Sequence, residues 1–162
     1  MSHFVKLSES NLLFPDERGS LKVLLETDSI VIKNSFSKRG VFRGLHWQKE
    51  PFGQTKVIRV VEGEILDFVL DINKSGNQLC YRTVRPDDNW ILIDSKFPHG
   101  FYSCTDTTFE YVCIGSYNES AEECFSIEHI LESELGLTNL ILSNKDRHGK
   151  KVYVDSILKV ES

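Results

Sequence analysis

Apolar and polar residues alternate in short runs along most of the chain, the period-2 pattern of strands buried on one face. Such runs cover 21–25, 30–36, 80–85, 90–94, 100–104, 107–117 and 125–130, and a longer one spans 55–72 around a Glu62-Gly63-Glu64 corner. Residues 1–15 read as an opening strand, closed by the turn Phe14-Pro15-Asp16-Glu17-Arg18-Gly19. Further turn signals divide the runs: Asp71 to Asn77, the Pro86-Asp87-Asp88-Asn89 cluster, Phe97-Pro98-His99-Gly100 and Asn118-Glu119-Ser120. Roughly ten short strands and few helical windows predict an all-β sandwich or barrel. One short helix is predicted over 128–136, stopped by Gly136; the stretch 142–147 reads as polar, and 152–160 as a last strand or helix.

With 162 residues, 40 % of them apolar, the chain is predicted to form a single domain over 1–162. A formal charge of −5 with intermixed acids argues against a nonspecific nucleic-acid binder. No apolar run approaches the roughly 18 residues that span a bilayer, and the first residues lack a signal-peptide core, so a soluble cytoplasmic protein without membrane association is expected. Cys80, Cys104, Cys113 and Cys124 show no C-x-x-C spacing and are expected as reduced thiols.

One stretch departs from ordinary strand chemistry. Arg39-Gly40-Val41-Phe42-Arg43-Gly44-Leu45-His46-Trp47-Gln48 sets cations and an imidazole among apolar residues, and Lys56 and Arg59 follow on the next run. Burying such cations is costly unless an anionic ligand joins them, so an anion-binding interior is predicted. In a regular strand His46 shares a face with Phe42 and Gly44, while Arg43 takes the other. A bulge at Gly40 or Gly44 would aim both at one cavity. His46 is either a core histidine or a base; Arg18 is either an ion-pair partner of Asp16 or Glu17, or an anion ligand. Tyr111 and Tyr117, six apart, fall on one face of a regular strand, as core residues or proton donors. His99 stands in a loop or touches substrate. A metal site is disfavoured, because Gln48 occupies the place where a second histidine would complete a His-x-His pair.

These motifs together resemble one known family. The 39–48 stretch, Lys56-x-x-Arg59-x-x-x-Gly63-Glu64 with Asp67 and Asp71, Phe97-Pro98-His99-Gly100-Phe101, Glu110-Tyr111, Asp16-Glu17-Arg18-Gly19 and Leu142-Ser143-x-Lys145-Asp146 are similar to the nucleotide-sugar epimerases typified by dTDP-4-dehydrorhamnose 3,5-epimerase. The resemblance implies a cupin-type β jelly roll that forms homodimers, with neither metal nor cofactor. It implies His46 as the base, Tyr111 as the proton donor, and Lys56 as the cation beside the keto oxygen. Arg18 and Arg43 would hold the diphosphate, with His99, Gln48, Arg59 and Tyr117 among the substrate-binding residues. It also implies an acidic partner for His46, and Glu132 stands at the position taken for it, a glutamate where the family has an aspartate. Positions that contact thymine in the family are here Leu21, Val23, Val31 and Lys33, which argues against ordinary thymine recognition.

The expected activity is therefore epimerisation at C3, C5 or both of a nucleotide-linked 4-keto-6-deoxy sugar through an enolate, in the making of surface polysaccharide or another glycosylated product. Alternatives are a noncatalytic nucleotide-sugar-binding jelly roll and a 3,4-ketoisomerase.

Overall fold

The computed structural model describes residues 12–72 and 76–161. In chain order the strands are β1 (Leu13–Asp16), β2 (Gly19–Glu26), β3 (Ile30–Ser37), β4 (Phe42–Gln48), β5 (Thr55–Glu62), β6 (Ile65–Asp71), β7 (Gln78–Val84), β8 (Ile91–Ile93), β9 (His99–Ser103), β10 (Thr107–Ile114), β11 (Glu122–Ser126), β12 (Lys150–Lys151) and β13 (Ser156–Lys159). Two short helices, α1 (Glu128–Ser133) and α2 (Asn144–Arg147), follow β11. The strands form a six-stranded sheet, β1-β2-β3-β10-β5-β8, and a seven-stranded sheet, β12-β11-β4-β9-β6-β7-β13, giving the two-sheet all-β architecture expected from the pattern and the jelly roll implied by the resemblance.

Alternation decides which side chains enter the space between the sheets. On β5, Ile58 and Val60 are buried while Arg59 is exposed; on β6, Ile65 and Asp67 point inward, and Phe68 and Leu70 point to the opposite, equally buried face. Ile58, Val60, Ile93 and Phe109 of the first sheet meet Ile65, Val84 and Phe101 of the second in one core. The outer face of the second sheet buries Phe42, Phe68, Leu70 and Leu79 beneath Ile127, Ile130 and Leu131. Each such aliphatic or aromatic side chain contributes about 1.5–3 kcal/mol on burial.

The predicted strand over 125–130 is instead β11 followed by α1, because Ile127, Ile130 and Leu131 recur at helical spacing and are buried on one stripe. The predicted strand over 107–117 ends at Ile114, where Gly115 takes φ +119° and turns the chain. The stretch read as polar, 142–147, contains α2, whose N-cap Ser143 accepts from the Asp146 amide at 3.1 Å. Within 152–160 the ordered element is β13, a strand parallel to β7. The opening strand begins at Leu13; its expected earlier part, 1–11, lies outside the described residues, as do 73–75 of the Asp71–Asn77 turn. All four cysteines are free thiols.

Candidate active site

β4 supplies the centre of the site, and a bulge makes it work. Arg43 pairs with Phe101 and His46 with His99, so Gly44 and Leu45 on β4 oppose the single residue Gly100 on β9. Gly44 has φ +129°, and a Cβ there would lie 2.6 Å from the Gly100 Cα, so a glycine is required on both steric and conformational grounds. The extra residue brings Arg43 and His46 to the same side. Both line the inter-sheet cavity while Phe42 and Leu45 enter the core behind.

The cavity has two joined chambers of about 130 and 320 Å³ that share Lys33, His46, Lys56, His99, Tyr111, Tyr117 and Glu122. The smaller is closed by Trp47, Gln48, Gln54 and Phe97, and the larger continues past Leu21 and Ser35 to Arg18 and Arg43. The imidazole of His46, the phenol of Tyr111 and the ammonium of Lys56 thus stand in one compartment.

His46 Nε2 lies 2.6 Å from Asp146 Oδ1, and Asp146 is fully buried. Its other oxygen accepts from Ser143 Oγ at 2.7 Å and from Arg18 Nη1 at 3.1 Å. Burial pushes this carboxyl up, but hydrogen bonds from His46 and Ser143 and the charges of His46 and Arg18 outweigh it, holding Asp146 below the usual carboxylate value. With Nε2–H donated to a carboxylate, Nδ1 carries the free lone pair of a base. A second pair, His99 Nε2 and Asp67 Oδ1, also meets at 2.6 Å, with both residues buried.

Arg18 is paired with Asp16 and Asp146, but among the described residues neither Arg43 nor Lys56 forms an ion pair. Arg43 Nε donates to Ser37 Oγ at 3.0 Å, but its Nη2 is buried without a partner. Burial and the neighbouring Arg18 guanidinium lower the Arg43 value. Burial likewise pulls Lys56 below an ordinary lysine, helped by Lys33. Lys33 lies 5.7 Å above the Tyr111 ring. A set of desolvated cations with an orphaned guanidinium nitrogen is the electrostatic form of an anion site. Tyr111 is half-buried, and loss of solvation pushes it well above an ordinary phenol, so it stays protonated. Tyr117, past the end of β10 rather than on it, is largely exposed at the cavity mouth and donates to Glu122 at 2.9 Å.

Two expected site residues, Glu132 and Arg59, take other places, and Gln48 lines the smaller chamber with its amide bonded to loop backbone. Glu132 is exposed on α1 and lines neither chamber; the partner of His46 is Asp146, delivered by a helix the polar stretch concealed. Arg59 faces outward on β5, opposite in parity to Lys56, where it pairs with Glu110 at 2.7 Å and stacks 4.7 Å from the Trp90 ring. Gln48 is buried and ties loops together, donating to Phe52 O at 2.9 Å and accepting from the Asn118 amide at 2.7 Å. The signal for Asp146 was present as Ser143-x-x-Asp146, a capping-box spacing at the start of a helix. Of the four positions expected at a nucleobase, Leu21 and Lys33 line the larger chamber, whereas Val23 and Val31 are buried with Cys113 in a small core.

His46, Cys124 and Asp146 offer ligand atoms within 4.8 Å of one another, as a divalent metal would need. Here Arg18 already occupies the carboxylate, and the Cys124 thiol is pushed up to about 12 by burial and by Asp146. The trio fits a hydrogen-bonded dyad better than a cation site.

A family model described as dTDP-4-dehydrorhamnose 3,5-epimerase matches residues 13–153. A dTDP-4-dehydrorhamnose 3,5-epimerase of Shigella flexneri is 32 % identical over 161 residues, covering 89 % of this chain and 88 % of that protein. The chain belongs to the dTDP-4-dehydrorhamnose 3,5-epimerase family. Its fold is the family's cupin-like jelly roll. The epimerase of Sulfolobus tokodaii superposes with a TM-score of 0.66 at 30 % identity, covering 86 % of this chain and 85 % of that one. The Legionella pneumophila dTDP-6-deoxy-D-glucose-3,5-epimerase, solved in complex with dTDP-4-keto-L-rhamnose, gives 0.65 at 27 % identity, covering 88 % and 85 %. The relatives are isomerases, and the chain spans most of their length, so the jelly roll here is that of an epimerase.

Proposed function

We propose that this protein epimerises C3, C5 or both of a nucleotide-linked 4-keto-6-deoxy sugar, using side chains alone. The observation that carries the proposal is the convergence of His46, Tyr111 and Lys56 on one cavity whose far end holds Arg18 and Arg43. The diphosphate sits at the arginine end and satisfies the orphaned Arg43 nitrogen. The sugar ring lies between imidazole and phenol. His46 removes the proton on the carbon next to the C4 ketone, and the electron pair moves onto the keto oxygen. Lys56 stabilises that enolate by hydrogen bonding, worth roughly 10²–10³ in rate for a single preorganised donor. Tyr111 returns a proton to the opposite face, which inverts the centre and leaves an enzyme that needs one proton exchange with solvent to reset. Asp146 holds the imidazole in the tautomer whose Nδ1 is free, and stabilises the imidazolium.

The noncatalytic alternative rested on Glu132 as an imperfect partner, and Asp146 removes that ground. Gln48 is engaged with Phe52 and Asn118, which leaves a 3,4-ketoisomerase without a second basic group at that position. The protein is proposed to act as a single-domain homodimer in the cytoplasm, in deoxysugar and polysaccharide synthesis. Among the described residues no helix is long and apolar enough to cross a membrane. Incubation with a dTDP-linked 4-keto-6-deoxyhexose, followed by borohydride reduction and assignment of ring configuration by NMR, tests the proposal. Product inverted at C3 or C5 is expected; bound but unchanged sugar would sink it.

A further inference from the structure

Arg18 touches both ends of the site. Its Nε and Nη2 donate to Asp16 Oδ2 at 3.0 and 2.6 Å, and its Nη1 to Asp146 Oδ2 at 3.1 Å, while the side chain lines the larger chamber beside Arg43. Asp146 in turn holds His46 through its other oxygen, which also lies 3.9 Å from the Cys124 thiol. A continuous hydrogen-bonded path therefore runs from the anion end of the cavity to the imidazole. Of the other charged groups near this path, Glu122 on β11 is held by Lys145 of α2 at 2.6 Å and by Tyr117, Arg43 on β4 reaches Ser37 rather than Asp146 and keeps one nitrogen without a partner, and Lys33 and Lys56 line the same chamber.

A guanidinium on Asp146 draws off part of the carboxylate charge that would otherwise stabilise a protonated His46. An anion arriving beside Arg43 competes for the same guanidinium. We propose that Arg18 is a positioning residue that couples occupancy of the anion end to the base: a diphosphate draws Arg18 from Asp146, and the released carboxylate acts on His46 alone. The proposal rests on the epimerase function above. It makes the diphosphate part of the activating machinery, so that binding energy remote from the reacting carbon is used at that carbon.

The test uses the intact protein, a methyl glycoside of a 4-keto-6-deoxyhexose that carries no diphosphate, and inorganic pyrophosphate added separately. Exchange of solvent deuterium into the carbons beside the ketone is followed by NMR. Pyrophosphate should speed exchange in the wild type on the order of tenfold, within the usual range for coupled sites. In Arg18→Gln the bare glycoside should exchange faster than in the wild type, because Asp146 is freed without pyrophosphate, and pyrophosphate should add nothing although calorimetry still shows it binding through Arg43. A merely structural role would instead slow exchange with and without pyrophosphate alike. Asp16→Asn keeps the Arg18 charge and removes its competing carboxylate, so the bare rate should fall and the activation grow. Activation that persists in Arg18→Gln, shrinks in Asp16→Asn, or is missing from a wild type that exchanges the complete nucleotide sugar overturns the coupling while leaving the epimerase intact. A wild type that fails to exchange even the complete nucleotide sugar overturns the function itself, and the coupling with it.

Discussion

Two histidine–aspartate pairs face one cavity at the same 2.6 Å separation, yet they are built for different work. His99 and Asp67 sit on adjacent strands of one sheet, 6 % and 3 % exposed, and the pair is complete within the sheet itself. His46 has a side chain 32 % exposed, and its partner comes from a separate helix at the far end of the chain, where Arg18, Ser143 and Cys124 share the same carboxylate. An imidazole almost wholly enclosed by its own sheet orders a wall. An imidazole open to the cavity on one side and anchored on the other can take a proton and give it back.

Removing each aspartate should separate the two pairs most widely. Asp146→Asn leaves the shape and loses the charge, so kcat for epimerisation should fall by about 10³–10⁴, as expected when an imidazole base loses the carboxylate that sets its tautomer. Asp67→Asn should cost kcat only roughly tenfold, the scale of a supporting residue. Its larger effect should be on folding, since His99 is left with a weaker buried partner at a cost of about 1–3 kcal/mol, a drop of several degrees in Tm.

Lys56→Met comes next, and moves activity and stability in opposite directions. Epimerisation should fall by roughly 10²–10³ for loss of the enolate donor, while thermal stability should rise by about 1 kcal/mol. The sign follows from burial, which lowers the Lys56 value: folding disfavours the charged amine, so the gain is full below the folded value and vanishes above the ordinary 10.5. A protein destabilised by Lys56→Met at pH 7 would mean that the ammonium has an anionic partner in the free cavity.

Acid should reveal the Asp146 pair more gently. Its folded value lies below the ordinary 3.8, so its contribution to stability is complete above that pH and is lost as pH falls through the folded value. The Tm difference between wild type and Asp146→Asn should therefore shrink as pH falls below the ordinary 3.8. Smallest of all, Glu132→Gln and Arg59→Gln should change kcat/KM by less than about twofold, as exposed side chains outside the cavity do; a hundredfold loss in Glu132→Gln would return it to the site.

Most of the architecture and the proposed catalytic trio were legible because strand periodicity reports which side chains share a sheet face. Lys56 and Arg59 show the limit of that signal: both are cations in one motif, and only parity against the buried Ile58 and Val60 separates the inward one from the outward one. His46 and Arg43 show the opposite limit, since strict alternation would part them and only the Gly44 bulge reunites them. Asp146 was the main omission. Four polar residues with one apolar neighbour, Leu142, carry no amphipathic stripe, and α2 is held by its Ser143 cap and its contacts with β4 and β11 rather than by propensity. Glu132 was misplaced for a related reason: the stripe of Ile127, Ile130 and Leu131 turns that segment into a helix whose polar face meets solvent.

The claim on which the mechanism turns is that His46, and not His99, takes the proton from carbon. Solvent deuterium entering a nucleotide-linked 4-keto-6-deoxy sugar, followed carbon by carbon in His46→Ala and His99→Ala, measures that transfer without requiring complete inversion. Exchange should disappear in His46→Ala and persist, slowed, in His99→Ala. Undiminished exchange in His46→Ala, or its loss in His99→Ala alone, would assign the base to the sealed pair and contradict the mechanism.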